Sequence, residues 1–206
     1  MTNISLPILI TRAAVLLLCF PVHEFAHAWT ADYFGDYLPR SRGRVTLNPL
    51  VHLDVMGSLM LMFTGFGWAK PVPVTPYILQ MASPRAPMLV ALSGPLSNFL
   101  LALVAAIPLR TGLIQFSLSG RFLPTPYEFL YYFVLINLVL FFLNLLPLAP
   151  LDGFTVAMFF LPESGRQFLR KIEPYSLIIL VGLFISGIFG LLIRWPVNLL
   201  MNLLVG

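Results

Sequence analysis

His23-Glu24-Phe25-Ala26-His27 ends an apolar run, Ile8 to Phe20, that reads as a membrane-spanning helix. On a helix, this H-E-x-x-H spacing puts two imidazoles one turn apart on one face, with a carboxylate beside them. That is a zinc site with a general base built in. Ionisable groups inside an apolar span are costly, which argues that they are there for a function. The chemistry indicated is hydrolysis by a metal ion at the membrane.

The bland reading of His23 and His27 is a buried, hydrogen-bonded pair. Two histidines and a glutamate on one turn of an apolar helix weigh against it. Glu24 could instead be an ion-pair partner, yet positions 20, 21, 27 and 28 are Phe, Pro, His and Ala, so no basic residue is its helical neighbour. A catalytic zinc needs a third protein ligand and an open position. Asp152 is the best candidate, just after an apolar span that Pro147 and Pro150 end and before Gly153, which lets the backbone turn. Its alternative role is a helix N-cap. His52 and Asp54, in a polar loop, compete as ligands or as accessory groups at the rim. Asn144 lies in a span, where an amide needs a partner; it is a candidate to bond substrate or to hold helices together. Asn98 and Ser93-Gly94 read as close helix packing.

These residues must be positioned by helices. Leu6 to Phe34 reads as one long helix stopped at Gly35. Residues 36–54 are polar and turn-rich. Val55 to Phe66 is apolar but shorter than the roughly 20 residues a helical span needs. Gly65 to Pro76 is too rich in proline for a helix and reads as extended chain. Further spans are expected over 88–109, 129–148 and 175–193, with an apolar tail over 195–205. The expectation is an all-α polytopic membrane protein with about four to six transmembrane helices and a re-entrant or extended segment around residues 55–76. It is read as one membrane-embedded domain, 1–206, with a core over 6–160 and C-terminal spans over 174–206.

Composition agrees. The 206 residues are 59% hydrophobic and 10% charged, with mean hydropathy +0.91. Soluble domains carry about 25% charged residues, so most of this chain is solvated by lipid. The lone Cys19 cannot form an internal disulfide. No basic n-region precedes the first apolar run, so it reads as a retained span and not a cleaved signal. The net charge of +4 does not point to nucleic acid, because the basic residues lie between spans without interleaved aromatics. Residues 35–87 hold Arg40, Arg42, Arg44, Lys70 and Arg85, and residues 162–173 hold Arg166, Arg170 and Lys171; the 110–127 loop has only Arg110 and Arg121. The positive-inside rule puts the first two segments in the cytoplasm, and His23, His27 and Asp152 then fall near that side.

The first-span motif, together with Asn144-Leu145-Leu146-Pro147-Leu148-Ala149-Pro150-Leu151-Asp152-Gly153, resembles the site-2 protease family of intramembrane zinc metalloproteases. Leu47 to Asp54, Gly65 to Pro76 and Ser93 to Asn98 are similar to its compact bacterial and archaeal branch, which lacks PDZ and CBS domains. The match covers residues 20 to about 155. The resemblance implies one zinc ion per chain held by His23, His27 and Asp152, with Glu24 as catalytic base. It also implies transmembrane protein substrates cut within the bilayer, and a prokaryotic plasma-membrane location with the site toward the cytoplasm. Two other classes stay open: a zinc-binding membrane regulator without turnover, and a small membrane transporter, which calls for polar residues along several spans.

Overall fold

The computed structural model describes residues 6–64, 67–116 and 123–206. Gly65, Phe66 and Arg121, used in the reading above, lie outside the described residues. All regular elements among the described residues are helical, apart from one antiparallel bridge between Leu53 and Ala69.

Helix α1 (Leu6–Ala14) runs through a π turn (Val15–Cys19) into α2 (Phe20–Tyr33). Pro21 explains the widened turn. It has no N–H for the Leu17 carbonyl, and its ring needs the room a π turn opens. Past Tyr33, Gly35 takes φ +85° and the Asp36 N–H bonds back to the Ala31 carbonyl at 3.0 Å, which ends the helix. Four short helices follow: α3 (Leu38–Ser41), α4 (Pro49–His52), α5 (Val55–Thr64) and α6 (Pro76–Ala82). Between α5 and α6, residues 67–75 are extended.

Helix α7 (Ala86–Arg110) is central and packs against α2, against α8 (Pro126–Asn144) and against α9 (Asp152–Phe160). Its buried face carries Ala91, Gly94, Ala102 and Ala106, small residues that let neighbouring backbones approach. Thr125 and Glu128 form a capping box that starts α8, with Pro126 in its first turn. The span expected over 129–148 therefore begins earlier and stops at Asn144. Leu145 to Leu151 are turns, because Pro147 and Pro150 cannot continue a helix.

After α10 (Glu163–Ile172), helices α11 (Ser176–Ile185) and α12 (Ile188–Leu204) meet at a 76° bend. The break falls at Gly187, φ +75°, rather than near Arg194, so the expected span over 175–193 and tail over 195–205 are divided differently. Gly187 adopts the left-handed conformation that stops α11, whereas Arg194-Trp195-Pro196 stay inside α12. Among the described residues three helices are long and apolar enough to cross a membrane: Leu9–Tyr33, Ala86–Arg110 and Pro126–Asn144. The bent pair raises the number to four, the lower end of the expected range.

Three apolar clusters hold the bundle. Ala102, Ala106, Val134, Leu138 and Val197 join α7, α8 and α12. Val15, Cys19, Phe20, Leu61 and Phe133 join the π turn to α5 and α8. Ala31, Leu79, Ala86 and Val90 join α2, α6 and α7. The outward faces of the spans carry large apolar side chains such as Leu100, Val104 and Ile107, the surface that lipid covers.

Candidate metal centre

α2 presents His23 and His27 from one face, with their Nε2 atoms 3.0 Å apart. Asp152, in the first turn of α9, brings Oδ2 to 3.3 Å from His23 Nε2 and Oδ1 to 3.3 Å from His27 Nε2. Asp152 is not the N-cap; Leu151 holds that position and no side chain caps the helix. Gly153 does not turn the backbone in a left-handed conformation. Its importance is close approach: a Cβ there would lie 2.3 Å from the Leu145 carbonyl, so only glycine lets the incoming turns pack on α9.

The protons on the two imidazoles follow from their other contacts. His27 Nδ1 lies 2.7 Å from the Val90 carbonyl, which only accepts, so Nδ1 carries the hydrogen. His23 Nδ1 lies 2.6 Å from Asn98 Oδ1 and donates likewise. In their neutral form, rings fixed this way turn both Nε2 lone pairs toward each other and toward the carboxylate. Asp152 Oδ2 is buried and has no hydrogen-bond donor. Two nitrogen lone pairs and a carboxylate that converge without a shared proton repel one another unless a cation lies between them. Tetrahedral zinc with bonds of about 2.0–2.2 Å has ligand–ligand edges of about 3.3–3.6 Å; here the two Nε2 atoms are 3.0 Å apart, each has one Asp152 oxygen at 3.3 Å, and one ligand atom from each residue lies within 4.8 Å of the others. Gly94 of α7 makes the room: a Cβ there would come within 2.3 Å of His27 Nε2 and 2.7 Å of His23 Cε1. The residues thus fit a zinc ion.

Glu24 is buried on the same turn, and its Oε2 accepts from the Val72 N–H at 3.1 Å. Arg44, from the loop after α3, approaches the same oxygen to 3.7 Å and donates to the Lys70 carbonyl. Glu24 therefore has a cationic neighbour after all, supplied 20 residues along the chain and not by its own helix. Burial pushes the Arg44 guanidinium below its ordinary value, and the Glu24 carboxylate opposes that shift. The extended segment 67–75 runs beside the base as a strap. The Lys70 N–H donates to the His52 carbonyl at 2.7 Å, and the Thr75 N–H donates to Asp36.

His52, Asp54 and Asn144 lie outside the ligand cluster, which among the described residues comprises His23, His27 and Asp152. His52 is buried and its Nε2 donates to the Thr46 carbonyl at 2.7 Å. Burial holds it below the ordinary histidine value, and Arg44 pushes the same way. Asp54 accepts from the Gly57 N–H at 2.8 Å at the start of α5. The Asn144 amide donates back to the Leu140 carbonyl at 3.0 Å. The sequence alone does not single out Arg44, Asp36 or the strap contacts, and Asn98 reads there as packing only. An amide inside an apolar span was the available signal for Asn98. For Arg44 there was none, since its role depends on where a loop folds.

The sequence model for Peptidase family M50 matches residues 123–187. The chain is 37% identical over 183 residues to "Putative zinc metalloprotease YwhC" of Bacillus subtilis (strain 168), covering 88% of this chain and 82% of that protein. It is 30% identical over 193 residues to "Putative zinc metalloprotease Rip2" of Mycolicibacterium smegmatis, covering 91% and 70%. The Rip2 of Mycobacterium tuberculosis (strain H37Rv) is 31% identical over 183 residues, covering 87% and 67%. No solved structure matches the chain.

Proposed function

Because the chain belongs to peptidase family M50, the site-2 proteases, and is a membrane metalloprotease, we propose that it hydrolyses peptide bonds within transmembrane helices of other membrane proteins. In this reading one zinc ion binds His23, His27 and Asp152, and Glu24 is the base. The supporting observation is the pair of Nε2 atoms 3.0 Å apart, each with one Asp152 oxygen at 3.3 Å, between apolar helices and with Glu24 on the same turn. When bound, zinc polarises the scissile carbonyl and acidifies a water molecule. Glu24 takes the proton from that water and passes it to the leaving amine nitrogen.

A helical substrate hides its carbonyls in its own hydrogen bonds, so it must unwind to be cut. The strap is a template for the unwound segment. Lys70 and Val72 direct their N–H groups inward, to His52 and Glu24. Backbone groups alternate in extended chain, so residues 71 and 73 face the other way. Both are proline, and that edge offers carbonyl acceptors without N–H donors. The site faces the cytoplasm, by the basic loops over 35–87 and 162–173.

The test is cleavage of a single-span membrane protein by the reconstituted enzyme. Glu24→Gln should keep zinc and lose cleavage by about 10²–10⁴-fold. Wild-type rates in that variant would remove Glu24 from the mechanism.

A further inference from the structure

His23 is steered by a relay of two buried amides that joins α8, α7 and α2. The chain of bonds is anchored at its far end, on α8. The Phe133 carbonyl can only accept, so the Asn137 amide must present Nδ2 to it, at 2.8 Å. The same Nδ2 meets the Cys19 sulfur at 3.2 Å, one helical turn before His23. Asn137 is thereby oriented with Oδ1 toward α7, where it accepts from Asn98 Nδ2 at 3.0 Å. That in turn directs Asn98 Oδ1 at His23 Nδ1, 2.6 Å away. Each amide has one allowed orientation because the next one is fixed. Asn98 and Asn137 are fully buried, and neither belongs to the ligand triangle.

We propose that Asn98 and Asn137 are positioning residues that set the tautomer of His23. They hold its proton on Nδ1 and so keep the Nε2 lone pair available to the metal. A flipped Asn98 amide would offer an N–H to Nδ1 and favour the ring form with hydrogen on Nε2, which cannot ligate. Asn137 prevents that flip although it does not touch the histidine. The inference rests on the zinc reading above and adds to it how the protein selects the ligating form. Partners of this kind are worth about 10–100-fold in metal affinity.

The experiment measures zinc affinity of the full chain in detergent by competition with a chromogenic chelator. Asn137→Leu replaces the amide by an apolar side chain of similar size at a site remote from the ion. In the wild-type background it should weaken zinc binding by about 10-fold or more. Asn98→Asp should bind zinc about as tightly as wild type, because a carboxylate accepts from His23 Nδ1 in either orientation. In the Asn98→Asp background Asn137→Leu should then have no further effect. Metal-free melting temperature, measured alongside, reports any packing loss separately from zinc affinity.

The relay is overturned if Asn137→Leu changes affinity by the same factor in both backgrounds, or in neither, while wild type binds zinc and His23→Ala does not. If wild type itself binds no zinc, or His23→Ala binds equally well, the zinc reading falls and takes the relay with it. Should Asn137→Leu fail to fold, Asn98→Leu against Asn98→Asp carries the same contrast: loss in the first, retention in the second, with equal affinities contradicting the relay.

Discussion

At the scale of single residues, the site depends on what is missing as much as on what is present. Gly94 faces both imidazoles, and any Cβ there would lie 2.3 Å from His27 Nε2 and 2.7 Å from His23 Cε1. Gly94→Ala should lower zinc affinity at least about tenfold while leaving helix content intact, since alanine favours a helix by about 1 kcal/mol over glycine. Chelator competition and circular dichroism on one sample check both halves. His52 makes a different prediction, on stability. Its folded-state pKa lies below the ordinary value of about 6.5, so protonation favours the unfolded chain. Its contribution is complete above about pH 6.5 and is lost as pH falls through the folded-state value. With metal chelated in both proteins, the melting temperature of wild type should drop on acidification more than that of His52→Gln. Parallel curves would show that His52 does not titrate with folding. His23, Glu24 and His27 were legible because helical spacing alone puts them together, and Asp152 because so few polar side chains remained to join them. Arg44 was not legible, because its partner, Glu24, is on another element.

The strap is the element most directly coupled to the proposed base. Arg44 links Glu24 to the Lys70 carbonyl, and the Val72 N–H holds the same carboxylate. Removing the guanidinium leaves the Lys70 carbonyl without its charged donor and the Glu24 carboxylate without its cationic neighbour, a loss of about 2 kcal/mol for a hydrogen bond to a charged group. Arg44→Ala should therefore lower stability by about that amount and speed proteolytic nicking within 67–75, with zinc binding unchanged. Unchanged nicking would mean that the strap is held without Arg44. Prolines made the strap's extended form readable in the sequence, and the same residues made the end of α8 readable. The bend at Gly187 was not foreseen, because apolar residues on both sides of it give no period by which one helix can be told from two.

For the whole molecule, apolar composition made the membrane readable, while the pairing of helices was not, since spans that are apolar on every face carry no mark of which face packs inward. Orientation can be measured directly. Single cysteines introduced at Ser41 and Gln167, with Cys19 replaced by alanine, should label from the cytoplasmic side, and one at Thr111 from the opposite side. The reverse pattern would turn the site outward. The central claim is that the fold closes one zinc site from two parts of the chain about 125 residues apart. The most direct test is zinc content and affinity of the purified protein and of Asp152→Ala. The account predicts one tightly bound zinc per wild-type chain and at least a tenfold weaker site in the variant. Zinc held by Asp152→Ala at wild-type strength would contradict it.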